Sequence, residues 1–251
     1  MILMGILNVT PDSFADGGRF NSFDSAIKHA REMIAQGVDI IDVGGESTRP
    51  GADRVSEDEE LARVIPVISE LAKDNVQISI DTMRANTAEA AIQAGARIIN
   101  DVSGGLADPK MLTTAAKLKT PFIAMHWRGQ SKNMNSMANY GDVVHDVISE
   151  LNLRISAALK AGIVKENLII DPGIGFAKNT AQNWAIIDHI EEFVALGYPV
   201  LIGASRKRFL GADTPDEREN ATVALTKRLS TSGIWGVRVH SVEAHKNVLN
   251  Q

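Results

Sequence analysis

Short apolar runs recur along this chain, each closing on a polar or charged residue and then on Gly, Pro or Ser. The run at 167–176, NLIIDPGIGF, is the clearest example. Leu168, Ile169 and Ile170 lead into Asp171, and Pro172, Gly173 and Gly175 end it. So short an apolar run, bounded by Pro and Gly, reads as a strand buried on both faces. Its terminal carboxylate then lies at the rim of a core. There it needs donors or water, because burying a charge without a partner is strongly unfavourable.

The same plan appears at Leu3–Val9, Asp39–Gly45, Gln77–Thr82, Arg97–Gly104, Pro121–Trp127, Pro199–Ser205 and Gly236–Val242. With Asn167–Pro172 that makes eight strand candidates. Between them the apolar spacing is helical. In Asp24–Gln36, Ala26, Ile27, Ala30, Met33 and Ile34 share one face, and Gly37 follows where a helix end favours glycine. Ser56–Lys73 begins with Ser56 and Glu59 at capping-box spacing. Thr87–Ala94, Lys110–Leu118, Gly141–Ala161, Thr180–Leu196, Arg218–Ser232 and Val242–Leu249 complete the alternation.

Strands alternating with helices through short links give a parallel sheet, and right-handed crossovers let eight such units close. The chain has 251 residues, 44% of them hydrophobic, enough for one large core. No composition shift or linker marks a second domain. Residues 1–251 are therefore read as a single-domain α/β protein, a (β/α)8 TIM barrel with its active site at the C-terminal ends of the strands. An open doubly wound sheet is the alternative. The regular count and the polar residue at nearly every strand end favour the barrel. The chain starts almost at its first strand, leaving little room for a hairpin across the barrel floor.

Composition narrows the chemistry. The chain has no cysteine, which excludes disulfides and thiolate metal sites. A net charge of −5 argues against a nucleic-acid surface. No stretch approaches the length of a membrane span, and the N-terminus does not read as a signal peptide, so a cytoplasmic protein is expected.

In such a barrel Asn8, Asp81, Asn100, Asp171, Lys207, Arg238 and His240 meet at one mouth. Asp81, Asn100 and Asp171 form an acceptor-rich side suited to a flat heterocycle with an amidine or amide edge, because a carboxylate takes two parallel N–H donors. Taken singly, Asp81 or Asp171 is as readily a cap for the following helix. Arg49, Arg206, Lys207, Arg208 and Arg238, with His240, form a cationic side suited to phosphate oxygens. Asn8, ahead of a loop with Asp12 and Asp16, suits Mg²⁺, which keeps several waters and leans on substrate phosphates. His126 reads as structural before it reads as a metal ligand.

NVTPDSF at 8–14, GGESTRPG at 44–51, IDT at 80–82, IND at 99–101, DPGIGF at 171–176, SRK at 205–207 and RVH at 238–240 resemble the dihydropteroate synthase family, in its order and over essentially the whole chain. The MHWRG stretch is similar to the actinobacterial branch. The resemblance implies a transferase of folate biosynthesis, of the kind sulfonamides target. It would join 6-hydroxymethyl-7,8-dihydropterin diphosphate to p-aminobenzoate, giving 7,8-dihydropteroate and pyrophosphate. It implies pterin binding by Asp81, Asn100 and Asp171 with Lys207, and Mg²⁺ on Asn8. It implies diphosphate contacts from Thr48, Arg49, Arg238 and His240, with Arg49, Lys207 and Arg238 carrying the catalysis. Phe14 and Pro50 would close around p-aminobenzoate, whose carboxylate would meet the helix start near Lys207 and Arg208. A homodimer is also implied. Ser241 and Ala177 depart from the family, which commonly has Asp and Gly there. Two rivals share the barrel: a pterin-binding methyltransferase, which needs no diphosphate site, and a pterin-binding paralogue without turnover.

Overall fold

A computed structural model describes residues 1–10, 18–46, 54–129 and 134–250. The described residues form eight strands: β1 (Ile2–Asn8), β2 (Ile40–Gly44), β3 (Gln77–Asp81), β4 (Ile98–Asp101), β5 (Phe122–Met125), β6 (Leu168–Asp171), β7 (Leu201–Ile202) and β8 (Gly236–Val239). The helices among them are α1 (Gly18–Ala35), α2 (Glu57–Leu71), α3 (Ala85–Ala94), α4 (Met111–Leu118), α5 (Val143–Ala161), α6 (Thr180–Asp188), α7 (Ile190–Val194), α8 (Pro215–Leu229) and α9 (Val242–Leu249).

All strand pairs are parallel, in the order β6-β5-β4-β3-β2-β1-β8-β7. A bridge between Ile170 and Val200 joins the two outer strands and completes the ring. The barrel expected from the alternation is therefore the observed fold.

Because side chains alternate across a strand, each strand feeds two cores. One face packs under the helices: Leu3 and Leu7, Ile41 and Val43, Ile78 and Ile80, and Leu168 and Ile170 belong to that layer. The other face fills the barrel. Met4, Ile40, Ile98, Ile123, Ile169 and Leu201 form a separate apolar layer inside it, with Ile2 and Trp235 against them. Close strand–helix approach has a sequence cause at Gly5: a Cβ there would lie 2.7 Å from Met33 Sδ.

Element ends differ from the sequence reading in physically legible ways. The expected helix Thr180–Leu196 is two helices, because His189 (φ −117°, ψ 30°) leaves the helical region between α6 and α7. α8 starts at Pro215 rather than Arg218. Thr214 caps it, with Glu217 completing a capping box and Pro215 in the first turn. α5 starts at Val143 because Asp142 accepts from Val144 N and His145 N. β7 spans only Leu201–Ile202, shorter than the apolar run that predicts it.

Candidate active site

The interior polar residues sit one pleat above the apolar layer. Asp42 follows Ile40, Asn100 follows Ile98 and Asp171 follows Ile169, each two positions on and so on the same face. Register sets Asp81 beside both Gly44 and Asn100, while Asp171, paired with Met125, stands one pleat above the row of Asn100, Ile123 and Ile169. Arg238 comes from β8, two strands from β2, and reaches across the interior. Its Nε donates to Asp42 Oδ2 at 2.6 Å and its Nη2 to Asp81 Oδ2 at 2.7 Å. Asn100 Nδ2 donates to the same Asp42 oxygen at 3.0 Å. Asp42 is wholly buried, and its Oδ1 has no protein partner among the described residues.

Gly44 leaves the space in which these groups meet. A Cβ there would lie 3.6 Å from Asp81 Oδ2 and 3.8 Å from Asn8 Oδ1. Gly203 does the same beside Asp171, whose Oδ2 would stand 3.8 Å from an added Cβ. Asp171 Oδ1 accepts from Gly173 N at 2.7 Å, so one oxygen is committed to the turn. Lys207 Nζ donates to Ile174 O and lies 4.4 Å above the Phe176 ring.

The electrostatics are those of buried groups of both signs. Burial raises Asp81 to about 7, against the opposing pull of Arg238. Burial also raises Asp171, against its bond from Gly173 N and the charge of Lys207. Lys207 falls to about 8 through burial, with Asp171 holding it up. Groups so shifted in one concave site are a common sign of function.

The structure brings Asn8, Asp81, Asn100, Asp171, Lys207 and Arg238 together at one end of the barrel. His240 joins from the end of β8: Ser205 Oγ lies 2.9 Å from its Nδ1 and accepts its backbone N–H at 3.1 Å. Thr48, Arg49, Pro50 and Phe14 lie outside the described residues, as do Asp12 and Asp16.

Three expectations change. Arg206 does not join the cationic side. Its φ of 56° turns the chain, and its Nε donates to Glu219 at 2.5 Å. The segment after Ser205–Lys207 is a single 3-10 turn, Arg208–Leu210, not the start of an α-helix. Arg208 is exposed on it, so no helix N-terminus stands there to receive a carboxylate. Arg238 is at the mouth but is already paired with two carboxylates, which leaves three of a guanidinium's five N–H donors for an anion. His126 takes the structural reading: it is buried between Glu150 Oε2 at 2.9 Å and Lys178 Nζ at 3.0 Å.

Asp42 is the interior residue that sequence reasoning passed over. It lies mid-strand in DIIDVGG, and attention to strand ends hides it. The signal was the alternation Ile40, Asp42, Gly44, which sets a carboxylate on the same face as the open mouth.

Among the described residues no group of three or more His, Asp or Glu is arranged to hold a metal. An Mg²⁺ ion here would draw on Asn8 Oδ1 and otherwise on substrate oxygens and water, which is within that ion's habit.

Comparisons with known proteins agree with this geometry. The family model described as "Pterin binding enzyme" matches residues 4–240. Dihydropteroate synthase of Mycobacterium leprae is 48% identical, over 98% of this chain and 90% of its own length. Among solved structures, a Xanthomonas albilineans dihydropteroate synthase with 4-aminobenzoic acid superposes at a TM-score of 0.93 and 42% identity, covering 99% of this chain and 90% of that one. The same enzyme in complex with 7,8-dihydropteroate superposes at 0.90 and 39% identity, covering 99% and 91%.

Proposed function

The chain belongs to the pterin-binding enzyme family, and on that premise we propose that it works as a dihydropteroate synthase. It condenses 6-hydroxymethyl-7,8-dihydropterin diphosphate with p-aminobenzoate, forming 7,8-dihydropteroate and releasing pyrophosphate. One observation supports this most: Asp171, Asn100 and Asp81 share one mouth with Arg238 and Lys207. A pterin methyl diphosphate is a flat donor-edged ring tethered to an anion, and that mouth has acceptors on one side and cations on the other.

Asp171 Oδ2 and Asn100 take the pterin edge, and Lys207 lies over the same side. The open donors of Arg238, with His240, take the diphosphate. Thr48 and Arg49 complete that contact, and Phe14 and Pro50 close over p-aminobenzoate with Arg208 near its carboxylate. The C–O bond at the pterin methylene breaks first, and pyrophosphate leaves with the bonding electrons. Arg238 and Arg49 disperse its growing charge, while Asp81 and Asp171 steady the electron-poor ring. The arylamine nitrogen then bonds the methylene carbon, and its surplus proton passes to the released pyrophosphate. Asn8 would hold a Mg²⁺ ion, which would supply charge neutralisation at the diphosphate. Preorganised cations aimed at a developing anion stabilise a transition state strongly, because they need no reorganisation as the charge appears.

The diphosphate-side cations weigh against a methyltransferase, and the intact acceptor set weighs against a paralogue without turnover. Homodimerisation and a cytoplasmic location belong to this reading. Among the described residues, no helix is long and apolar enough to cross a membrane. The deciding experiment is pyrophosphate release from dihydropterin diphosphate with and without p-aminobenzoate. Release that depends on p-aminobenzoate is expected. Its absence would leave only binding.

A further inference from the structure

The turn between β6 and α6 has one backbone hydrogen bond of its own, Phe176 N–H to Gly173 O at 3.1 Å. Gly173 and Gly175 have φ of +68° and +79°, and Ala177, with a side chain, has φ of +48°. A side chain in the left-handed region costs on the order of 1 kcal/mol. Such a turn keeps one shape only if its backbone groups are held from outside.

Asn183 Oδ1 accepts the Gly175 N–H at 2.6 Å, and two lysines take the carbonyls. Lys207 takes Ile174 O from the mouth side. Lys178 takes two more from behind: its Nζ donates to Gly173 O at 3.0 Å and to Phe176 O at 3.1 Å. The third ammonium proton goes to His126 Nδ1 at 3.0 Å, so all three donors are used. An imidazole that accepts at Nδ1 carries its proton on Nε2, which meets Glu150 Oε2 at 2.9 Å. Arg128 grips that carboxylate from the far side, its Nε at 3.0 and 3.1 Å from the two oxygens, and stacks 3.8 Å over the Tyr140 ring.

The chain of contacts runs from α5 to the mouth and ends on one residue. Gly173, whose carbonyl Lys178 holds, donates its N–H to Asp171 Oδ1. His126 donates its own backbone N–H to Asp171 O at 2.8 Å. Space is tight as well: a Cβ on Gly173 would overlap His126 O. Burial lowers His126 to about 4, and the neighbouring Lys178 charge pushes the same way, so the ring is neutral at physiological pH.

We propose that Lys178, held in place through His126 and Glu150, is a positioning residue for the pterin edge: it fixes the 172–177 turn and so aims Asp171 Oδ2. This rests on the functional reading above. It assigns a role to residues that touch neither ring nor diphosphate.

The test compares His126→Leu with His126→Gln. A glutamine amide accepts from Lys178 and donates to Glu150, so it rebuilds the relay; leucine cannot. The expected result for His126→Leu is a KM for dihydropterin diphosphate raised about tenfold, the effect of loosening one charge-assisted hydrogen bond. The KM for p-aminobenzoate stays within about twofold. His126→Gln recovers most of the pterin KM. Both KM values moving together, an unmoved pterin KM, or glutamine failing as leucine does would each overturn the proposal. If His126→Leu yields no folded protein, Lys178→Met read in the same assay decides, with the same selective rise expected. A wild-type enzyme that releases no pyrophosphate would sink the functional reading instead. Turnover in the wild type with no pterin-selective change sinks this proposal alone.

Discussion

Arg238 Nε donates to Asp42 Oδ2 at 2.6 Å, joining residues 196 positions apart inside the barrel. Asn100 Nδ2 donates to that same oxygen. Asp42 therefore ties Arg238, proposed above for the diphosphate, to Asn100, proposed for the pterin edge. A disturbance at either is felt by the other through Asp42 Oδ2.

Replacing Asp42 with Asn tests the tie. The amide keeps the shape but loses the charge that Arg238 faces, and one of its two orientations turns a donor toward Asn100. Breaking one side of a buried ion pair costs about 3–5 kcal/mol where no second partner remains. Here Asp81 still holds Arg238, so the lower end applies. We expect kcat/KM for dihydropterin diphosphate to fall on the order of a hundredfold and the thermal midpoint to drop. Steady-state kinetics with unchanged efficiency would contradict the coupling.

Arg238→Ala should slow turnover about a hundredfold, the effect of removing one oriented cation, about 3 kcal/mol of transition-state stabilisation. A suitable control is Arg31→Ala, an exposed α1 residue that pairs with Glu70 and Asp74 and should leave turnover unchanged. Arg63 is a poor control because its Nη1 holds Gly45 O at 2.8 Å, at the exit of β2. Equal losses in the Arg238 and Arg31 variants would remove Arg238 from the diphosphate.

Much of this was legible in the chain. Alternation gave eight strands and their shared mouth, because a strand buried on both faces leaves a continuous apolar run ending in a polar residue. The inward face of Asp42 was legible from the alternation Ile40, Asp42, Gly44, but its partners, and the role of Lys178, were not. Asp42 acts across the barrel, and its partners are fixed by closure of the ring rather than by neighbours in sequence. Lys178 acts on carbonyls of a turn whose left-handed shape is not written locally at Ala177. The start of α8 was legible and missed, since Thr214, Pro215 and Glu217 spell a capping box. The break at His189 has no Pro or Gly to announce it; tertiary packing of Ile187, Ile190 and Phe193 accompanies it.

Gly175→Ala should weaken pterin binding without unfolding the barrel. Gly175 has φ +79°, and a Cβ there would lie 2.5 Å from Lys207 Cδ. The lysine must leave Ile174 O and the Phe176 face. An affinity for dihydropterin reduced about tenfold is expected, from one charged hydrogen bond lost. Calorimetric titration measures it, with circular dichroism confirming native helix content. Native affinity would mean that Lys207 does not face the pterin.

Acid stability gives a separate reading of His126. Burial lowers it to about 4, whereas an unfolded histidine titrates near ~6.5. Between those values the unfolded chain binds a proton that the native state does not, so stability falls as pH falls, and is flat below. The shift corresponds to at most about 3 kcal/mol. Glu150, lowered to about 2 chiefly by its bond with His126, continues the loss at lower pH, discounted because it is partly exposed. Asp81 and Asp101 have the opposite sign: burial raises them to about 7 and about 6, so they favour the native state as pH falls. The raw curve therefore mixes both. The difference between wild type and His126→Gln cancels the aspartates; Lys178, lowered by burial to about 7, is charged through most of this window, and Arg128, Glu150 and Tyr140 still face the site in both proteins. Chemical denaturation from about pH 7 down to about pH 4 should show the wild type's advantage shrinking by up to about 3 kcal/mol. A constant advantage would mean that the native histidine takes its proton as readily as the unfolded one, and the neutral relay from Glu150 to Lys178 would not exist.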